Sequence, residues 1–120
     1  MSTPSVKELT TKTCQPCGQG AVPFSLVKAK EYAGQLSEWI LAGDGKSISC
    51  QYAMKDFLAA VQFIDKIAEV AESEDHHPDL HLTGYRKLRI ELATHSIGGL
   101  SENDFILAAK IDQLPKELKK

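Results

Sequence analysis

Cysteine and long apolar runs are scarce in this 120-residue sequence, and their scarcity excludes several classes of protein. Three cysteines are an odd number and too few for the disulfide framework of a small secreted domain. No stretch approaches the roughly 18 consecutive apolar residues of a membrane-spanning helix, and the N-terminus lacks the apolar core of a secretory signal. We therefore expect no membrane association and a cytoplasmic location, or an organelle matrix if a transit peptide has been removed.

An excess of charge of either sign is also missing. Fourteen basic and 16 acidic side chains leave a net charge of −2 with the histidines neutral. Nucleic-acid binding relies on a strong basic field, so we expect no nucleic-acid partner. The hydrophobic fraction of 42% and the charged fraction of 25% are typical of a soluble globular domain, and a chain of this length can bury a core without disulfides or metals.

The Cys14 and Cys17 pair has the spacing of half a zinc site or of a redox-active pair. A structural zinc needs four ligands, but Cys50 is isolated, and a redox pair should open a helix after a strand, whereas prolines and glycines surround this one. We interpret residues 1–23 as a flexible N-terminal arm and residues 24–120 as the folded domain. Metal binding or redox chemistry at the two cysteines is the alternative to this interpretation. We do not predict a metal site.

Apolar periodicity predicts seven elements in the order helix, strand, strand, helix, strand, strand, helix. Their approximate ranges are 26–37, 39–42, 47–52, 55–73, 79–83, 87–92 and 102–114. The strands alternate polar and apolar residues, which is typical of a sheet with one face in water. The long helix carries an apolar stripe made of Phe57, Val61, Ile64, Ala68 and Ala71. The pattern favours a two-layer α+β fold with helices on one side of antiparallel strands.

The histidines cluster where chemistry is expected. His76, His77 and His81 lie within six residues after the long helix, and His95 follows the last strand. Imidazole can give or take a proton near neutral pH without extensive tuning, and Glu72 lies one helical turn before His76, close enough to orient it. Three interpretations stay open: a solvated helix end, a metal site built from His76, His81, His95 and a carboxylate, or acid–base catalysis. No nucleophile elbow is present, so covalent catalysis is not expected.

Both histidine segments carry motifs of a known family. The stretch Glu72 to Pro78 is followed by Tyr85, by Thr94–His95, and by Gly99–Ser101 with Asp104. In this order and spacing they resemble the signature of the pterin-4a-carbinolamine dehydratases. Trp39 and the segment leading into the long helix are also similar to the family, so the resemblance covers roughly residues 24–114.

The resemblance implies a fold and a reaction. The fold would be α+β with a four-stranded antiparallel sheet. The protein would be a hydro-lyase that acts in tetrahydrobiopterin recycling, converting the 4a-hydroxytetrahydropterin left by aromatic amino acid hydroxylases to quinonoid dihydropterin and water. This elimination needs one group that protonates the departing hydroxyl and one that takes the N5 proton, with no redox cofactor and no metal.

The resemblance also assigns site residues. His76, His77 and His95 match the family's three active-site histidines, with His76 and His95 expected as the acid–base pair and His77 as the residue that holds the 4a-hydroxyl. Glu72 and Asp104 match acidic residues that orient imidazoles. The residues expected to bind the pterin are His76, His77, Pro78, Thr94, His95, Ser96 and Ile97.

Further expectations concern assembly and two departures from the family pattern. Because some members are dimerisation or assembly partners of other proteins, a non-catalytic partner role is the alternative function, with the polar sheet face as its candidate surface. Unprotected sheet edges and the resemblance predict a homo-oligomer, either a dimer or a tetramer. His81 has no catalytic counterpart and is expected to face solvent, while Gly84 is expected to absorb one extra residue as a bulge.

Overall fold

The computed structural model describes residues 3–15 and 21–120. In this part of the chain the helices are α1 (Val6–Thr11), α2 (Leu26–Ala33), α3 (Phe57–Glu74) and α4 (Glu102–Gln113). The strands are β1 (Ile40–Leu41), β2 (Ile48–Ala53), β3 (Asp79–Thr83) and β4 (Lys87–Leu92), and a 3₁₀ helix, His95–Ile97, lies between β4 and α4. None of the described helices combines the length and the apolar character that crossing a bilayer takes.

The four strands form one antiparallel sheet in the order β1-β2-β4-β3. Strands β2 and β4 pair from Ile48↔Leu92 to Ala53↔Lys87, so the alternating apolar residues of both strands share one face. That face is buried, and the polar residues of the same strands cover the other face. The predicted α+β fold with a four-stranded antiparallel sheet is confirmed. The seven predicted elements occur in the predicted order, and α1 and the 3₁₀ helix are additional.

Helix α3 forms over the predicted range but buries a different face from the predicted stripe. Its buried residues are Ala59, Ala60, Phe63, Ile67 and Ala71. Of the predicted stripe only Ala71 is fully buried, and Phe57 is 56% exposed. The helix has apolar residues on two adjacent faces, and the ring of Phe63 packs edge-on against Tyr52 of β2, with ring centroids 5.6 Å apart. Phe63 therefore lies on the face that meets the sheet.

The β3–β4 hairpin is regular up to its connecting loop. The pairing of β3 with β4 runs without interruption from Asp79↔Glu91 to Thr83↔Lys87, so the expected bulge at Gly84 is wrong. Gly84 and Tyr85 both have positive φ angles, 53° and 57°, in the connecting loop. Glycine adopts a positive φ angle without a steric penalty, so Gly84 is suited to this tight turn.

The described part of the predicted N-terminal arm contains a helix that packs on the domain. Ser5 caps α1, because its hydroxyl accepts from the Glu8 amide (3.2 Å) while the Glu8 carboxylate accepts from the Ser5 amide (3.3 Å). Leu9 is fully buried, and α1 packs against α4. Helix α1 was therefore not predicted from the sequence, whereas the division into a flexible arm and a folded domain stays a prediction, and Cys17 lies outside the described residues.

Candidate active site

The corner between α3 and β3 positions the first two histidines. α3 ends at Glu74, and Asp75 adopts the left-handed conformation (φ 51°, ψ 42°) that reverses the chain. The His76 amide donates to the Ala71 carbonyl (3.1 Å), the long hydrogen bond of a Schellman cap, and Pro78 cannot continue a helix. The backbone at His76 is therefore held by the end of α3.

A buried aspartate on α4 contacts His76. Nε2 of His76 lies 2.6 Å from Oδ1 of Asp104, whose side chain is fully buried, and the His76 side chain is 12% exposed. The second oxygen of Asp104 accepts hydrogen bonds from the Thr94 hydroxyl (2.8 Å) and the Ser101 amide (3.0 Å). Because a carboxylate only accepts hydrogen bonds, His76 donates through Nε2, and its Nδ1 is left to act on another group.

The loop after β4 closes around the same carboxylate. The Thr94 amide donates to the Gly99 carbonyl (2.8 Å), and the Thr94 and Ser101 hydroxyl oxygens lie 2.8 Å apart. Since the Thr94 hydroxyl gives its proton to Asp104, Ser101 donates to Thr94. Thr94 was predicted from the sequence only as a pterin-binding residue, and the contact of its hydroxyl with Asp104 was missed. The Ser101–Asp104 capping box, which the sequence does show, was the available signal.

His95 begins the 3₁₀ helix directly after Thr94, and its side chain is exposed. The hydrogen bonds inside this loop use the amides of Thr94, Ile97, Gly98 and Gly99. Within residues 21–120, the amides of His95 and Ser96 take part in none of them. The loop therefore presents an imidazole and two backbone donors beside the carboxylate that holds His76.

His77 pairs with Glu72 at the protein surface. Nε2 of His77 lies 3.4 Å from Oε1 of Glu72, and the two side chains are 54% and 78% exposed. The expectation that Glu72 lies against His76 is wrong, because the reversal at Asp75 directs His76 to Asp104 of α4 instead. An exposed pair of this kind contributes at most about 1 kcal/mol.

The predicted site residues thus fall into three sets. These are His76 with Asp104 and Thr94, His77 with Glu72 and the adjoining Pro78, and the loop His95–Ile97. Among the described residues no hydrogen bond or ion pair joins His95 directly to His76. Thr94 connects them, because it precedes His95 in the chain and contacts the carboxylate that holds His76.

The remaining histidine and the described cysteines, Cys14 and Cys50, belong to none of these sets. His81 is exposed on β3, in register with Arg89, as expected for a solvent-facing strand residue. In residues 3–15 and 21–120 no three His, Cys, Asp or Glu side chains are arranged to hold a metal ion. Burial, and then the negative charge of Glu74, raises the pKa of the Cys14 thiol to about 12, so this thiol is not a reactive thiolate near neutral pH.

Comparison with known proteins assigns the family. The sequence model for pterin 4 alpha carbinolamine dehydratase matches residues 23–114. The chain is 45% identical over 106 residues to a Halorhodospira halophila protein named for this dehydratase, covering 88% of this chain and 96% of that protein. It is 41% identical over 116 residues to the mitochondrial pterin-4-alpha-carbinolamine dehydratase 2 of Arabidopsis thaliana, covering 94% of this chain and 62% of that protein.

Two solved structures have a similar fold. The crystal structure of a transcriptional coactivator/pterin dehydratase from Brucella melitensis superposes with a TM-score of 0.70 at 30% identity, covering 75% of this chain and 95% of that one. A pterin dehydratase-like RuBisCO assembly factor of the alpha-carboxysome is similar in fold alone, with a TM-score of 0.53 at 20% identity, covering 64% and 88% of the two chains. With the family match over 23–114 and these relatives, the resemblance seen in the sequence is confirmed: the chain belongs to the pterin-4-alpha-carbinolamine dehydratase family of hydro-lyases.

Proposed function

We propose that this protein dehydrates a 4a-hydroxytetrahydropterin to a quinonoid dihydropterin and water through histidine acid–base catalysis, and so supports tetrahydropterin recycling. The observation that carries the proposal is the 2.6 Å contact between His76 and the buried Asp104 in a chain of this family. A carboxylate that binds one ring nitrogen gives the other nitrogen a defined tautomer and direction, which proton transfer requires. The cytoplasmic location expected from the sequence stays a prediction.

The reaction needs two proton transfers and no change of oxidation state. One group protonates the hydroxyl on C4a, and the C4a–O bond breaks so that its electron pair leaves with water. A second group removes the proton from N5 as the N5–C4a double bond forms. One proton is added to the substrate and one is removed from it, so the catalytic groups together neither gain nor lose a proton. An acid and a base of similar strength therefore suffice.

We assign these two transfers to His76 and His95, and binding of the departing hydroxyl to His77. The contact between His76 and Asp104 supports the assignment of His76, because Asp104 binds Nε2 and leaves Nδ1 for the substrate. His95 is exposed, and its backbone is held beside Asp104 through Thr94. His77 adjoins His76 and has an accessible side chain.

The pterin ring would lie along the loop that holds His95. A pterin presents ring nitrogens and a carbonyl oxygen, which suit backbone donors at a rigid edge. The amides of His95 and Ser96, which no hydrogen bond within the loop uses, are the candidates for this role, and Ile97 adds a half-buried apolar side chain. Pro78 would rigidify the backbone next to His77.

The test is turnover of freshly generated 4a-hydroxytetrahydropterin by the purified chain, followed by the change in absorbance and compared with buffer. We expect acceleration over the spontaneous reaction that a chelator does not reduce, because the proposed groups are imidazoles. Absence of acceleration would contradict the proposal and favour the alternative of a non-catalytic assembly partner. Loss of turnover on chelation would contradict the part of the proposal that assigns the chemistry to histidines alone.

A further inference from the structure

The segment that follows α1 is tied to the end of α3. We call residues 12–15 the strap. The Cys14 amide of the strap donates to Oε1 of Glu74 (2.7 Å), and the Lys110 ammonium donates to the other oxygen of Glu74 (2.9 Å). Glu74 is the last residue of α3, two positions before His76, and its side chain is 10% exposed. The strap is therefore anchored at the helix end that carries His76.

The strap is also tied to the start of α4. The Gln15 amide donates to Oδ1 of Asn103 (2.9 Å), and Nδ2 of Asn103 donates back to the Gln15 carbonyl (2.6 Å). Lys12 forms an ion pair with Glu102, with nitrogen and oxygen 3.2 Å apart. Glu102 and Asn103 are the first two residues of α4 and directly precede Asp104. The strap thus also holds the helix turn that carries the buried aspartate.

The contacts at Glu74 and Asn103 are largely buried, whereas the Lys12–Glu102 ion pair is 40% and 34% exposed. Asn103 is buried, and both of its amide atoms are used in a two-point contact with one backbone residue. Burial alone would raise the pKa of Glu74, but the hydrogen bonds from the Cys14 amide and Lys110 outweigh it and keep the pKa below its ordinary value. Glu74 is therefore ionised near neutral pH and binds the strap as a charged acceptor.

The geometry points to the strap as a positioning element for the site: it sets the distance between the end of α3 and the start of α4 at which His76 contacts Asp104. Proton transfer depends on sub-ångström placement, so a link between these two helix ends affects the reaction without touching substrate. The strap lies outside residues 23–114, which the family model matches. The inference rests on the proposed function only for its effect on turnover.

The test uses the full-length chain with Glu74→Gln, Asn103→Ala and the double variant. Glu69→Gln is the matched control, because Glu69 is an exposed glutamate on the same helix. Hydrogen exchange of the Cys14 and Gln15 amides reports whether the strap is attached. Nitrogen-15 spectra of the imidazole rings report the His76 Nε2 proton without any substrate, with His76→Ala used to assign the signal.

We expect the double variant to lose protection at the two strap amides and to exchange the His76 Nε2 proton at least about tenfold faster. We also expect kcat to fall about 10- to 100-fold with a smaller change in KM, and the control to match wild type. Strap amides that lose protection while the His76 signal stays unchanged would overturn the inference, as would strap amides that stay protected in the double variant. If Asn103→Ala does not fold, the inference is tested with Glu74→Gln alone. The same two signals are measured, which are exchange of the strap amides and exchange of the His76 Nε2 proton. If wild type shows no turnover, the proposed function fails, while the ring spectra still decide the role of the strap.

Discussion

Asp104 is the residue on which the geometry of the site depends. Its buried carboxylate accepts hydrogen bonds from the His76 ring, the Thr94 hydroxyl and the Ser101 amide. A buried carboxylate without such donors would be strongly unfavourable, so these three groups stabilise the fold as well as the site. The hydrogen bonds connect the α3–β3 corner to the loop after β4.

Asp104→Asn is expected to lower turnover by at least about 100-fold. The amide can donate to Nε2 of His76 and so favour the tautomer in which Nδ1 carries the proton. The measurement is kcat, with circular dichroism to show that the variant is folded. Asp112→Asn is the control, because Asp112 lies on the same helix but accepts from Trp39 and Tyr52. Wild-type turnover in Asp104→Asn would contradict the orienting role.

The sequence indicated candidate residues for the site and, through the family resemblance, two acidic residues that orient imidazoles, but it did not show which imidazole each carboxylate contacts. Glu72 precedes His76 by four positions, a spacing that brings side chains together only while a helix continues. The left-handed conformation of Asp75 ends the helix one residue before His76. An aspartate does not by itself require such a conformation, so the sequence does not predict it. The contact with Asp104, 28 positions away, depends on how α4 packs, which local patterns do not encode.

At the scale of elements, prediction succeeded where one strong local rule applied. Strands β3 and β4 have the predicted ranges, because alternation of polar and apolar residues with a period of two is a strong signal for a strand. Helix α2 ends at Ala33, four residues earlier than predicted, with Gly34 as its C-cap. Helix α1 was missed, although the Ser5 and Glu8 capping box is visible in the sequence, because nearby glycines and prolines suggested a flexible arm.

Glu74 joins three elements, and its substitution tests their coupling. Its pKa is lower in the folded chain than its ordinary value of 4.5, so its ionised form stabilises the fold above that pH, and this contribution is lost as pH falls through the folded pKa. Glu74→Gln is expected to reduce the free energy of unfolding by roughly 1–3 kcal/mol near pH 7. The difference from wild type should shrink in acid.

Urea titrations of wild type and Glu74→Gln near neutral pH and well below pH 4.5 measure this difference, with Glu69→Gln as the control on the solvent face of α3. A difference of equal size at both pH values would show that the charge of Glu74 does not stabilise the fold. The expected pattern would show that the buried pair with Lys110 holds the first segment of the chain to α3 and α4.

At the scale of the whole molecule, the candidate site depends on segments that are distant in sequence. The site joins the α3–β3 corner to the β4–α4 loop, and its neighbours include the strap. Motif order alone predicted that the first two segments meet. The contribution of the strap could not be predicted, because its contacts are mostly made by backbone groups, which every sequence has.

The assembly is expected to be a homo-oligomer. Strands β1 and β3 lie at the edges of the sheet, and α3 exposes Phe57 and Leu58 on a face that does not meet the core of one chain. Exposed strand edges and apolar helix faces are commonly covered by a second copy. Sedimentation at micromolar concentration should show a dimer or a tetramer, and a single species near 13.2 kDa would contradict the expectation.

The central claim is that His76 and His95 share the proton transfers of a dehydration. The most direct measurement is kcat across pH for wild type, His76→Ala, His95→Ala and the double variant with 4a-hydroxytetrahydropterin as substrate. Each single change is predicted to lower turnover roughly 10²- to 10⁴-fold, and the double change to cost far less than the product of the two, because the groups act as a unit. Near-full turnover of His95→Ala at every pH would contradict the assignment and make His77 the candidate for the missing role.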